Sequence, residues 1–308
     1  MRNDITIAAI AKNEARYLSE WIAYHLAIGV SRILVYSNDT EDLQEEFLER
    51  ISRSDQRIAW IRWPSREGIS PQVSAYQDAL DKASTEWISF IDIDEFIVPL
   101  AANTLPAWLM TVPDDVSTVH INWAGFGSGG RQSADYPLVT RAFSAAALRD
   151  WDNNRHFKSI GRRTRVTRVA VHNIVADGRR CLSDFSDFET LVDGASLRVC
   201  HDGIQINHYQ CKTFAEFRLR MRRGDANVPI GHPGKPRDDS FSRFAQLDQN
   251  QCVDTAIRRF DAVVDRELRR QIMTPHHPYF FAYSAAERIF DQWQTRRSVT
   301  TPDFQSLR

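Results

Sequence analysis

The sequence predicts an α/β fold: a parallel sheet covered by helices, followed by a mostly helical C-terminal stretch. Three observations carry that prediction. Over the first hundred residues, short β-branched runs alternate with stretches whose apolar residues recur at helical spacing, the pattern of strand–helix–strand units. A length of 308 residues with 43% hydrophobic and 26% charged content suffices for one large core. After Pro99 the alternation fades, and a long amphipathic pattern returns only near the C-terminal end.

In chain order, Ile5 to Ala11 suits a central strand. Residues 14–28 carry Leu18, Trp21, Ile22 and Leu26 on one helical face, with Gly29 where a C-terminal cap belongs. Ile33 to Tyr36 reads as the second strand and Ser37-Asn38-Asp39 as a turn. Residues 40–51 form an acidic amphipathic helix, with Asp39 as its N-cap or as a ligand-facing acid. Ile58 to Trp63 gives a third strand. Ser70-Pro71 has the N-cap and first-turn chemistry of a helix running through Val73, Tyr76, Leu80 and Ala83. That helix feeds an apolar run from Trp87 to Phe96, read as one buried strand.

Into this last run the sequence inserts Asp92, Asp94 and Glu95. Buried carboxylates cost several kcal/mol unless a cation or donors compensate them. On a strand Asp92 and Asp94 share a face, half of a hard-metal site, whereas Glu95 points the other way into a structural role. The bland reading is a strand end with solvated acids. In an open α/β sheet the ligand crevice lies at the carboxyl ends of the parallel strands. Lys12-Asn13-Glu14, Asn38-Asp39, Arg66-Glu67-Gly68 and Asp92 to Glu95 all fall there.

Further on, Val119 to Trp123 is a strand leading into the glycine-rich Gly125 to Gly130. That loop matches neither a dinucleotide fingerprint nor a P-loop; it reads as a flexible turn or a close backbone approach to a ligand. Ile204 to Tyr209 is another strand. The basic helix from Phe214 to Arg223 stops at Gly224, its arginines read as a solvated face. Phe244 to Ile272 reads as a single amphipathic helix, and a tail from Met273 holds His276, His277 and Trp293. The division is a main unit over residues 1–225 with an extension over 226–308 packed on it.

A net charge of −1 gives no polyelectrolyte argument for nucleic acid. No apolar run approaches the roughly 18 residues of a membrane span, and the start lacks a secretion-type apolar core. The four cysteines show no CxxC pair, so reduced thiols and a cytoplasmic setting are expected.

Several of these short motifs together resemble a glycosyltransferase of the GT-A fold, and more narrowly family 92 and the related family-2-like bacterial branch. They are Lys12-Asn13-Glu14, Glu20-Trp21 with Tyr24-His25, Asp39, the Gln72 to Tyr76 helix and Asp92-Ile93-Asp94-Glu95-Phe96. Phe126-Gly127-Ser128, His156-Phe157-Lys158-Ser159 and Asn207-His208-Tyr209 with Lys212 continue the likeness, which covers about the first 225 residues. The resemblance implies a Rossmann-like mixed sheet flanked by helices, a nucleotide-sugar donor and a divalent cation, Mn²⁺ or Mg²⁺.

By the same resemblance, Asp92 and Asp94 hold the metal, completed by His208 with His172 as rival. Lys12, Asn13, Glu14 and Asp39 face the nucleoside. Gln72, Tyr76 and Asp92 line the donor pocket, and Lys158 with Arg162 faces the diphosphate or the sugar. Trp123, Gly127 and Ser128 fall on the sugar or acceptor side, with Phe126 as a second aromatic face. The general base stays open among Asp150, Asp152, Asp184, Asp187, Glu189, Asp202 and Asp225, and the analogy leans toward inversion. The implied acceptor is a glycan or lipid-linked sugar of a surface polymer. That suits peripheral association with the inner membrane face without a transmembrane segment; the oligomeric state stays open. Two rivals are a non-catalytic nucleotide-sugar or glycan-binding module and a metal-dependent nucleotidyltransferase.

Overall fold

The computed structural model describes residues 3–234 and 237–272. The first strands, β1 (Ile5–Ala11), β2 (Arg32–Ser37), β3 (Ile58–Arg62) and β4 (Trp87–Phe90), pair in parallel in the order β3-β2-β1-β4. Three helices make the crossovers: α1 (Ala15–Ala27), α2 (Gln44–Ser54) and α3 (Pro71–Lys82). Ser70 caps α3 by accepting from the Val73 amide, with Pro71 in its first turn. β1 is buried along its whole length, as a central strand covered on both faces should be.

The sheet then turns mixed. Beyond β4 the order continues through β7 (Phe157–Arg162), β6 (Val116–Gly125), β9 (Ile204–His208) and β5 (Glu95–Pro99). β7 is antiparallel to both β4 and β6, β9 is parallel to β6, and β5 is antiparallel to β9. β8 (Arg179–Leu182) pairs in parallel with the start of β6.

The run from Trp87 to Phe96 is two strands rather than one. β4 ends at Phe90, and residues 91–94 carry the chain to the opposite end of the sheet. The acids make that break. The Asp92 amide donates to Glu95 Oε2 at 2.8 Å, the Glu95 amide donates to the Asp92 carbonyl at 3.0 Å, and the Trp21 indole donates to the carbonyls of Asp92 and Glu95. A side chain that bonds the nearby backbone in this way competes with the sheet ladder. Asp92 and Asp94 therefore sit in a turn, and the two-residue strand period does not govern where they point.

The long helix expected over Phe244–Ile272 is also interrupted. A short helix α5 (Phe241–Leu247) precedes a polar turn at residues 248–251. Cys252–Val253 then pairs antiparallel with Ala145–Ala146, and a 3-10 turn leads into α6 (Asp261–Ile272). Asp248 and Asn250 accept from the backbone amides of Ser128 and Gly129, which fixes the turn. Ile257, Phe260, Val264 and Leu268 belong to the same core as β1 and α1. The tail that holds His276, His277 and Trp293 lies outside the described residues. The four cysteines are free thiols, three of them buried.

Two motif residues on α1 serve the fold. Glu20, 4% exposed, accepts from the amides of Val139 and Thr140 and from the Thr140 hydroxyl. His25 Nδ1–H donates to the Trp21 carbonyl at 2.8 Å, and its Nε2 accepts from the Ile97 amide, which fixes the neutral tautomer. Burial lowers the His25 pKa to about 3, against the pull of the Trp21 carbonyl. The unfolded chain takes up a proton near pH 6.5 that the folded chain refuses, so stability is full above that pH and is lost as pH falls. By about pH 5 the cost is ~2 kcal/mol. The melting temperature is expected to drop between pH 7 and pH 4, with a shallower slope in His25→Gln; an unchanged slope in that variant would assign the acid sensitivity elsewhere.

Candidate active site

A cleft opens where the carboxyl ends of the parallel strands meet α4 (Phe214–Arg222). Its walls are Lys12 and Glu14 after β1, Asn38 after β2, Gln72 on α3, Asp92 and Asp94 in the β4–β5 turn, and Arg220 and Arg223 at the end of α4.

Asp92 is held from below. Lys158 on β7 donates from Nζ to Asp92 Oδ2 at 3.0 Å, and Gln72 Nε2 donates to Oδ1 at 3.0 Å. The Tyr76 hydroxyl reaches the same Oδ1 at 3.4 Å. Lys158 is entirely buried; its ammonium also lies 3.6 Å from Glu95 Oε2 and donates to the Val171 carbonyl. Burial is the largest single influence and would raise the Asp92 carboxyl, but the Lys158 charge and hydrogen bond, with His172 adding, together leave Asp92 below the usual range. Glu95 is wholly buried, and burial dominates there: its carboxyl is pushed up to about 8 in spite of Lys158, with Asp92 and Asp94 adding to the rise. Glu95 thus shares Lys158 with Asp92 instead of facing away from the site.

Asp94 has different neighbours. Arg220 Nε lies 2.9 Å from Asp94 Oδ2, and His208 Nε2 lies 3.6 Å from the same oxygen. Burial would raise this carboxyl, yet Arg220 first and His208 second hold it well below the usual range. Among the described residues, neither Asp94 Oδ2 nor either nitrogen of His208 has a directed hydrogen bond. Burial in turn lowers the His208 pKa, against the attraction of Asp94. A buried carboxylate oxygen facing an imidazole nitrogen, with no hydrogen bond between them, is a donor pair that fits a divalent cation once the Arg220 guanidinium moves off that oxygen.

Asp92 does not join that pair. Among the described residues, the His/Cys/Asp/Glu group whose ligand atoms close to within 4.8 Å of one another is Asp184, Cys200 and Asp202. There Asp184 is already held by Arg198 and Ser186. His172 neighbours Trp123, with ring centroids 5.6 Å apart, and burial lowers its pKa to about 3.

The loop after β1 is shaped by its own side chains. Asn13, at φ +54°, accepts from the Thr40 hydroxyl and the Glu41 amide, so its amide group is occupied in holding the loop. Asp39, at φ +44°, accepts from the Ser65 amide; α2 starts only at Gln44, so Asp39 is not its N-cap. Glu14 pairs with Arg223 at 2.6 Å, and the same guanidinium donates to the carbonyls of Lys12 and Asn13. Burial raises the Glu14 carboxyl, with Arg223 opposing.

Gly127 and Ser128 sit against the turn after α5. The Ser128 hydroxyl donates to Asp248, and a Cβ on Gly127 would collide with Asn250 Oδ1 and the Gln249 carbonyl. Their close backbone approach is to this chain itself. Trp123 packs against His208 with ring centroids 4.1 Å apart and the planes tilted by 48°. Arg162 pairs with Glu86, away from the cleft.

Arg220 and Arg223 are the residues that the sequence reading passed over as a solvated face. Arg220 lies next to buried Phe217 and Met221 on the helix, so it shares their inward stripe. That stripe was the available signal.

The sequence profile of glycosyltransferase family 92 matches residues 6–216. The chain belongs to glycosyltransferase family 92. Among relatives in the family, the protein At1g27200 of Arabidopsis thaliana is 30% identical over 289 residues, covering 89% of this chain and 47% of the relative. The protein RCOM_0530710 of Ricinus communis is 24% identical over 278 residues, covering 88% and 47%. The rice protein Os08g0121900 is 30% identical over 146 residues, covering 46% and 24%. This family-92 chain thus spans about half or less of the length of these relatives. Among solved structures, residues 1–349 of Staphylococcus aureus TarS in complex with UDP-GlcNAc align at TM-score 0.37 and 13% identity over 90% of this chain and 75% of that one. Mycobacterium tuberculosis glucosyl-3-phosphoglycerate synthase with Mn²⁺, UDP and phosphoglyceric acid aligns at TM-score 0.30 and 15% identity over 53% and 57%. The α/β mixed sheet flanked by helices that the GT-A resemblance implied is the architecture observed. No described helix is long and apolar enough to cross a membrane.

Proposed function

We propose that this family-92 chain transfers a sugar from a nucleoside-diphosphate sugar to a hydroxyl of a glycan or lipid-linked acceptor, with inversion, aided by Mn²⁺ or Mg²⁺. The observation that carries the reading is the β4–β5 turn, which brings Asp94 Oδ2, in the cleft at the strand ends, to 3.6 Å from Nε2 of His208, which lines an adjoining cleft. Asp94 and His208 would hold the cation, which when bound stabilises charge on a departing diphosphate as a Lewis acid.

The remaining roles belong to the chain's own side chains. Lys158, Gln72 and Tyr76 orient Asp92 toward the donor. Arg220 and Arg223 offer guanidinium groups to phosphate oxygens, for which their fork geometry is suited. Lys12 and Glu14 face the same cleft from the loop after β1, where a nucleoside would sit.

The test is a panel of nucleotide-sugars incubated with the full chain in EDTA and in Mn²⁺ or Mg²⁺, reading release of free nucleoside diphosphate. One donor is expected to turn over, falling to background in EDTA and recovering when the ion is restored. Turnover that ignores EDTA would remove the metal from the proposal. Tight nucleotide-sugar binding with no turnover under any condition would favour the binding module instead.

A further inference from the structure

A second cleft adjoins the first through Arg220 and Arg237, which line both. We infer that it seats the acceptor and that it selects an acidic sugar, one bearing a carboxylate or a phosphate. This rests on the transferase reading above.

Its volume is about 360 Å³, within the range of small-molecule sites. Its wall includes Trp123, His156, His208 and Gln210 beside Arg220 and Arg237. Several buried polar atoms in that wall have no hydrogen-bond partner among the described residues: Trp123 Nε1, Gln210 Nε2 and both nitrogens of His208. The three residues are 8%, 6% and 2% exposed. Buried polar groups are rarely left unsatisfied in a folded protein. The indole and amide nitrogens can only donate, so the missing partner is rich in oxygen acceptors. A sugar supplies those. His208 also links this wall to Asp94 in the donor cleft, which places a hydroxyl bound here beside the reacting end of a donor.

The charge of the wall decides the kind of sugar. Arg220, Arg237 and Arg243 stand against one acid, Asp238. Arg220 is paired with Asp94 and Arg237 with Asp225. Arg243 donates to a neutral partner, Gln246 Oε1 at 3.2 Å, and attracts Asp238 without a direct pair. A guanidinium so placed at the rim of an oxygen-seeking cleft matches a carboxylate or phosphate in two-pronged geometry.

The experiment titrates the full chain by calorimetry with methyl glucuronide, glucose 6-phosphate and neutral methyl glucoside, in wild type, Arg243→Ala and Arg243→Lys. Arg243 is exposed, so neither variant threatens the fold. At least one acidic probe is expected to bind about tenfold more tightly than the neutral one. That preference should vanish in Arg243→Ala and return in part in Arg243→Lys; which acidic probe binds best identifies the anion. Equal binding of neutral and acidic probes, or a preference that survives Arg243→Ala, overturns the inference. The readout needs no turnover. Arg243-dependent preference without any donor hydrolysis would uphold the site and sink the transferase reading, while hydrolysis without preference would do the reverse.

Discussion

Replacing Lys158 by methionine is expected to cost about 3–5 kcal/mol of folding stability, the typical loss when one partner of a buried ion pair is removed. Its side chain is fully buried between Asp92 and Glu95. Methionine fills the same volume but leaves Glu95, itself without exposure, with no cation. The loss should depend on pH in a diagnostic way. The Glu95 carboxyl is raised from 4.5 to about 8 even beside Lys158, and without that ammonium it rises further. A group raised on folding contributes its full stability below its unfolded pKa and loses it as pH climbs through the folded one. Below about pH 7 Glu95 is neutral in both folded proteins, and they lose stability alike. Denaturant unfolding of Lys158→Met should therefore show a steady deficit from about pH 5 to 7 that widens as pH climbs through about 8 toward 9, where only the wild type holds an ionised Glu95 beside a cation. Adding Glu95→Gln should recover most of that widening. A pH-independent loss would show that packing, rather than the stranded carboxyl, carries the effect.

The largest effect on turnover is expected from Asp94→Asn. Asparagine keeps the volume and one oxygen but removes the charge that faces His208 and Arg220. If that carboxylate holds the ion at a developing diphosphate, release of nucleoside diphosphate should fall on the order of 10²–10³-fold, the usual scale for losing one preorganised electrostatic contact. Stability should change by ~1–3 kcal/mol, because the asparagine amide oxygen can still accept from the Arg220 guanidinium although the charge is gone. Thermal melts and initial rates on the same preparation separate the two. An Asp94→Asn variant that turns over at the wild-type rate would remove Asp94 from the site.

The parallel half of the sheet was legible because β1 to β4 are local, apolar and punctuated by cap and turn residues such as Ser70-Pro71. What escaped the sequence reading was set by contacts far along the chain. The break after Phe90 depends on the Trp21 indole taking the carbonyls of Asp92 and Glu95, and nothing in residues 87–99 announces that partner. Apolar periodicity likewise runs through residues 244–272, but Asp248 and Asn250 find their amides in the glycine-rich loop some 120 residues earlier. Among site residues, Lys158 and Asp92 do meet, because β7 is inserted antiparallel beside β4. Asn13 and Ser128 carry motif positions yet spend their polar groups on the fold. Arg220 was hidden among neighbouring arginines whose side chains do reach solvent.

The clamp of Arg223 on the carbonyls of Lys12 and Asn13 joins positions separated by 211 and 210 residues. Closing a loop of that length is slow and is rewarded only once both ends are structured. Asn13 with Thr40 and Glu41 shapes the loop after β1 locally, and the Arg223 clamp is added when α4 docks. Binding of a nucleotide-sugar at this cleft would then report on completed folding, since a chain with its sheet formed but α4 still free would lack Arg220 and Arg223, two of the three guanidinium groups that line it.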